Sequence, residues 1–342
     1  VSRVADVGEF PLIARLAQHL PPYGADVLEG VGDDVAVTRL GDGRLLLLTC
    51  DIQVSGVHFL PQAITPYQLG HKVAAINLSD IGAMGGQPRH FLLSLGLPPE
   101  TPVDELEALY DGLRDECTPF GVDVVGGNCS RAPVLVVDAF LTGEVAEGRL
   151  LRRRGARPGD WVLVSGELGA SRAGLELVLR AERLDQLKQV PEGIAQAALA
   201  AHLTPTPRVE EGQVIAAFGG ATAMVDVSDG LAADLGHICD LSRVGVRLWA
   251  GDIPVAGVAQ HIAPLAGADP LAWALGGGED YELCFTARPG GAKALATAVQ
   301  AQTGTPVHIV GEVLPEAEGR WLRLPDKSER PLAPSGWDHF GM

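Results

Sequence analysis

Apolar residues along the chain fall into short dense runs separated by polar turns rich in Gly and Pro. The runs "RLLLLTC" (44–50) and "PVLVVDAFLTGEV" (133–145) read as strands. Between them, apolar residues three or four apart around Leu69, Val73 and Ile76, and again around Leu106, Leu109 and Leu113, predict two amphipathic helices. These elements make one α/β unit. "RRRGARPGD" (152–160) has the composition of a surface connection, which puts a boundary near Glu147 and predicts units at 1–147 and 148–342. The second unit opens with the strand "DWVLVSG" (160–166), then a Gly-rich turn and a helix carrying Leu175 and Leu179 at i,i+4. "ATAMVDVSDG" is strand then turn, Leu231, Leu235 and Ile238 mark the next helix, and "YELCFT" (281–286) alternates like a half-buried strand.

One signal occurs in both halves. "INLSDIGAMGG" (76–86) and "VDVSDGLAADLGH" (225–237) each run from apolar residues through Ser-Asp into small residues. Helix capping explains either one alone, because Ser or Asp before a helix accepts first-turn amides. Two more segments, "GVGDDVAV" (30–37) and "LLLLTCDIQ" (45–53), place carboxylates at turns or strand ends. If the four converged, the carboxylates would repel one another and burial would raise their pKa values, so convergence implies bound cations. Oxygen ligands without a His or Cys set suit Mg²⁺ bridging Asp groups and substrate phosphates, and phosphoryl transfer is the chemistry that demands such neutralisation.

Composition agrees. The 342 residues suggest two domains by the usual ~100–200 residues each, and 46% hydrophobic and 20% charged residues are ordinary for a folded protein. The formal charge of −17 argues against nucleic acid or an anionic membrane as partner. Of the lysines, Lys72, Lys188, Lys293 and Lys327, none stands in a P-loop, so phosphates would need metal ions. Cys50, Cys117, Cys129, Cys239 and Cys284 are scattered without a CxxC pair, which indicates neither a zinc site nor a disulfide framework. With no signal-like apolar segment and no uncharged apolar run of ~18 residues, a cytoplasmic protein is expected. "VVGGNCSR" (124–131) offers Gly-Gly for close phosphate approach, and Arg153 and Arg154 could pair with phosphate oxygens. His58, Glu279 with Asp280, and Trp337 stand in segments that could carry recognition.

The blocks "GDD", "CDIQVSGVHFLP", "LGHKVAAINLSDIGAMGG", "GGNCSR", "DVSDGLAADLGHI", "GGEDYELCFT" and "GWDHF", in this order over nearly the whole chain, resemble thiamine-monophosphate kinase. The resemblance implies the two-domain ATP-binding fold of the aminoimidazole-ribonucleotide synthetase superfamily, of α/β (α+β) class, dimerising through N-terminal sheets that form a β-barrel. It implies direct transfer of the γ-phosphoryl of ATP to thiamine monophosphate, the last step of thiamine diphosphate biosynthesis, with several Mg²⁺ ions and no protein nucleophile. By the same resemblance, Asp34, Asp51, Asp80, Asp226 and Asp229 hold Mg²⁺ with Thr49, Cys50 and Asn128 alongside. Gly127, Asn128, Arg153 and Ser228 contact nucleotide, and His58, Glu279 and Trp337 contact the thiamine substrate. Two positions depart from the family pattern: Asn128 stands where the family has an acid, and Cys50 where it has a Thr or Ser. An amide in place of that carboxylate removes one negative charge, which bears on one Mg²⁺ site. A noncatalytic thiamine-phosphate or nucleotide-binding homologue, or another ATP-dependent enzyme of the superfamily, stays open as an alternative.

Overall fold

The computed structural model describes residues 4–180, 185, 187–333 and 336. Trp337 lies outside the described residues. The N-terminal half contains strands β1 (Val27–Glu29), β2 (Ala36–Arg39), β3 (Arg44–Val54), β4 (Gln87–Leu97), β5 (Asp123–Arg131) and β6 (Val136–Ala146), with helices α1 (Glu9–Ala17), α2 (Pro66–Ala83) and α3 (Val103–Cys117). The strands form one sheet in the order β1-β2-β3-β6-β4-β5, antiparallel except for the β4–β5 pair.

Helix α2 starts where the sequence demands it. Thr65 and Gln68 form a reciprocal capping box, and Pro66 occupies the first turn, where its missing N–H costs nothing. Leu69, Val73 and Ile76 are buried, as are Leu109 and Leu113 on α3. The two helices approach through glycines: a Cβ on Gly70 would lie 1.9 Å from the Leu109 carbonyl oxygen, and one on Gly112 would lie 1.9 Å from that of Tyr67. Close approach sinks α2 into the molecule, so that polar Lys72, Asn77 and Ser79 are buried along with its apolar stripe.

The C-terminal half contains β7 (Trp161–Ser165), β8 (Ala221–Asp226), β9 (Val244–Trp249), β10 (Leu283–Ala287), β11 (Val307–Pro315), β12 (Arg320–Arg323) and β13 (Glu329–Pro331). Its helices are α4 (Ala170–Arg180), α5 (Glu192–Leu203), α6 (Val209–Phe218), α7 (Leu231–Ser242), α8 (Gly257–Leu265), α9 (Pro270–Gly276) and α10 (Pro289–Thr303). The sheet order is β13-β12-β9-β11-β7-β10-β8, with β12–β9 its parallel pair. Leu231, Leu235 and Ile238 pack into its core.

Two expectations change. On α4, Leu179 is exposed and the buried residues are Ser171, Ala173, Gly174, Glu176 and Leu177, because α5 packs so close that a Cβ on Gly174 would lie 2.1 Å from the Ala198 carbonyl oxygen. The segment 281–286 is not half-buried: every residue of β10 is buried between β7 and β8, and Tyr281 and Glu282 belong to the preceding loop. The apparent alternation came from Glu282, whose carboxylate is buried by pairing with Arg208 at 2.6 Å and with Ser165 Oγ at 2.6 Å.

Candidate active site

Four elements from both halves supply the acidic centre. The inward face of β3 carries Thr49, Asp51 and Gln53 at period two. The last turn of α2 carries Ser79 and Asp80, the turn before β2 carries Asp33 and Asp34, and β8 ends on Asp226. One carboxylate oxygen each of Asp34, Asp80 and Asp226 lies within 4.8 Å of the others. Ser79 Oγ donates to Asp226 Oδ2 at 2.6 Å, which ties the N-terminal helix to the C-terminal strand. Thr49 Oγ1 donates to Asp80, and Asp80 is hydrogen-bonded to Asp51.

The electrostatics follow from burying like charges together. Burial first, then the Asp34 charge, pushes Asp226 up to about 7. Burial, then Asp51, Asp226 and Asp34, holds Asp80 well above the carboxylate range, and burial raises Asp51. Asp33, which accepts the Arg153 backbone N–H, is pushed to about 7 by burial and by Asp34. Arg153 is the counter-charge: its Nε donates to Asp34 Oδ1 at 2.8 Å and its Nη2 to the same oxygen. Burial works against the Arg153 charge, but Asp34 outweighs it and raises the pKa.

Asp34 Oδ2 and Asp226 Oδ1 are buried without a hydrogen-bond partner among the described residues. Orphaned carboxylate oxygens are costly, and a hard cation with oxygen ligands removes both the cost and the repulsion. The residues present therefore fit Mg²⁺. A second group continues from the first: Asp229, Asp234 and His237 bring ligand atoms within 4.8 Å of one another. Asp234 Oδ2 accepts the N–H groups of Asp229 and Gly230 at 3.1 and 3.0 Å, shaping the loop that presents Ser228 and Asp229.

The loop before β10 closes the other side. Glu279 N–H donates to the Ser228 carbonyl at 2.6 Å and Tyr281 N–H to that of Val227 at 2.9 Å, while Glu279 and Tyr281 adopt left-handed φ of 56° and 51°. Gly278 (φ 69°) is required here, since a Cβ would lie 2.9 Å from the Ser228 carbonyl oxygen. Glu279 Oε1 pairs with Lys72 Nζ at 2.9 Å and Oε2 with His202 Nδ1 at 3.2 Å. Burial would raise Glu279, but Lys72 and His202 outweigh it and bring the pKa to about 2. Asp280, pushed to about 7 by burial, accepts the N–H groups of Gly169 and Ser171 at the start of α4.

Not every expected residue joins the cluster. Strand register aligns Gly127 with Leu93, Ala139 and Asp51, and Asn128 with Ser94, Asp138 and Ile52. Facing residues share a side, so Gly127 lies on the Asp51 side and Asn128 on the outer side of the sheet. Cys50 also lies on the outer side, aligned with Phe140, and burial, with Asp51 and Asp138, raises its thiol pKa. His58 is half-buried in the loop after β3, where Nδ1 accepts the Val54 N–H at 3.0 Å. The sequence reading passed over Ser79, Lys72 and His202 as site residues. For the first two a signal existed: Lys72 and Ser79 are seven apart, on one face of a helix.

Residues 32–145 match the family model for the AIR synthase related protein N-terminal domain, and residues 157–321 match that for the C-terminal domain. The fold and site thus define an AIR synthase related protein of two domains. Thiamine-monophosphate kinase of Escherichia coli (strain K12) is 37% identical over 97% of this chain and 98% of its own, and that of Aquifex aeolicus (strain VF5) is 35% identical over 99% and 100%. The solved structure of AaThiL complexed with AMPPCP and TMP superposes with a TM-score of 0.85 at 34% identity, covering 99% of each chain. Within that class, the chain belongs to the thiamine-monophosphate kinase family. E. coli HypE, a hydrogenase maturation protein, shares the fold with a TM-score of 0.69 at 19% identity.

Proposed function

We propose that the protein transfers the γ-phosphoryl group of ATP directly to the phosphate of thiamine monophosphate, giving thiamine diphosphate and ADP. The observation that carries this reading is the convergence of Asp34, Asp80 and Asp226 from both halves, with two buried carboxylate oxygens unpartnered among the described residues, in a chain related to thiamine-monophosphate kinases over almost its full length. Asp34, Asp51, Asp80, Asp226 and Asp229, with Thr49, would hold Mg²⁺, which when bound neutralises the charge of the two phosphate groups. Ser79 fixes the Asp226 carboxylate, Thr49 fixes Asp80, and the Asp34 pair fixes the plane of Arg153 so that its free donors can face phosphate oxygens. The acceptor phosphate is ionised at neutral pH, so positioning suffices and no protein base is needed.

Gly127 would admit a phosphate close to the backbone of β5, with Ser228 and Arg153 on the opposite wall. His58, Glu279 and Trp337 would meet the thiamine portion. Asn128 and Cys50 as metal ligands have the least support, because register turns both to the outer side. The first sheet ends at Ala146 and the second begins at Trp161, which supports dividing the chain at 147/148. A homodimer covering the outer side of the N-terminal sheet fits the exposed Ile52, Leu92 and Val125. Among the described residues no helix is long and apolar enough to cross a membrane, in keeping with a cytoplasmic site of action.

The test is a product assay with Mg²⁺-ATP and thiamine monophosphate, with free thiamine as control acceptor. Equal formation of thiamine diphosphate and ADP from the monophosphate alone is expected; ATP binding without turnover overturns the reading.

A further inference from the structure

We propose that Lys72 is a positioning residue for the thiamine end of the substrate, its ammonium reaching from α2 to fix the Glu279 carboxylate on the facing half of the molecule. The inference rests on the reading that Glu279 meets the thiamine portion, and adds the group that sets how it does so.

Lys72 is 1% exposed and is among the largest fully buried side chains of the described residues. An ammonium so placed is costly unless paired, and its ion pair is with Glu279. Glu279 itself keeps 30% of its side chain exposed, so it is not sealed from a ligand even though it is held. Its two oxygens are gripped from different elements, Oε1 by Lys72 of α2 and Oε2 by His202 of α5, so the group cannot rotate. His202 also lies 3.0 Å from Ser171 Oγ, which seats the ring. The backbone of Glu279 is left-handed, a conformation that persists only where its surroundings enforce it. A carboxylate kept ionised and immobile at a partly closed site suits a cationic heteroaromatic ring such as the thiazolium of thiamine.

The same helix face does a second task. Seven residues beyond Lys72, about 10 Å along the helix axis, Ser79 holds Asp226 of the acidic cluster. Helix α2 thereby sets both ends of the site on the C-terminal half, Glu279 through Lys72 and Asp226 through Ser79. Positioning by Lys72 then acts on binding of the acceptor and leaves ATP binding alone.

The experiment compares kcat, the KM for thiamine monophosphate, the KM for ATP and thermal melting in wild type, Lys72→Met, Glu279→Gln and the double variant. Lys72→Met is expected to raise the KM for thiamine monophosphate about tenfold or more while the KM for ATP stays within about twofold. The double variant, which buries no unpaired charge and serves if either single variant fails to fold, should match Glu279→Gln in its KM for thiamine monophosphate, or exceed wild type by a similar factor where that single variant is lost. An unchanged KM for thiamine monophosphate in Lys72→Met overturns the proposal, as does a parallel rise in both KM values. If Glu279→Gln leaves that KM unchanged in an active enzyme, the Glu279 assignment falls and the inference with it. If wild type does not phosphorylate thiamine monophosphate at all, the proposed function itself fails.

Discussion

Asp226 is held by Ser79, which donates to one carboxylate oxygen, while among the described residues nothing donates to the other. Replacing Ser79 with Ala leaves two orphaned oxygens on a buried acid, so stability should fall by about 1–3 kcal/mol and turnover with it; urea unfolding alongside the product assay checks this. The titration of the cluster gives a sharper expectation. Asp33 and Asp226 are raised to about 7 and Asp80 well above the carboxylate range, so the folded state binds protons more tightly than the unfolded chain. Stability from these groups is present at low pH and is lost as pH rises from ~4 through about 7. Glu279, lowered to about 2 from 4.5, acts oppositely: its contribution is present above about 4.5 and is lost as pH falls toward 2. In a chelator the melting temperature should therefore be higher at pH 5.5 than at pH 8, and Mg²⁺ should raise it more at pH 8. A metal-free melting temperature that climbs from pH 5.5 to 8 would contradict the clustered carboxylates.

Helices α2 and α3 meet backbone to backbone at Gly70 and Gly112, and no side chain can yield there, because what a Cβ would strike is a carbonyl oxygen. Gly112→Ala should destabilise by about 1–3 kcal/mol through overpacking, with a loss of activity as α2 shifts away from the acidic cluster; chemical denaturation and turnover measured together test this. Periodicity predicted both helices and their buried leucines, and the apolar runs predicted β3 and β6. It could not say that small residues would be the contact face. On α4 the same principle misled, since Leu175 and Leu179 at i,i+4 looked like a core stripe while Gly174 makes the close approach to α5. Buried charge is equally invisible to a hydropathy pattern. Glu282 read as the polar step of an alternating strand, and its pairing with Arg208 and Ser165 explains why it is inside.

The two halves are joined chemically as well as covalently. Ser79 to Asp226, Lys72 to Glu279 and Arg153 to Asp34 all link the two units across the site. The repeated Ser-Asp signal was legible in the chain, and the structure gives the reason for one copy: Ser79 and Asp80 face Asp226 in one cluster. What the sequence did not disclose is sidedness. Asn128 and Cys50 sit one residue from Gly127 and Asp51, yet a strand turns adjacent residues to opposite faces, and only the register decides which face holds the acids. The outer face is instead the proposed dimer surface. Ile52→Asp should shift the protein toward monomer, measured by sedimentation velocity, and an unchanged monomer-dimer distribution would remove that face from the assembly.

The central claim is that carboxylates from both halves hold the cations of phosphoryl transfer. Its most direct test is the Mg²⁺ dependence of thiamine diphosphate formation in wild type and Asp226→Asn, side by side, with folding checked by melting. The expected result is saturable Mg²⁺ activation in wild type and turnover lower by about 10²-fold or more in the variant at saturating ATP. Near-normal turnover of Asp226→Asn at the same Mg²⁺ concentration would contradict it.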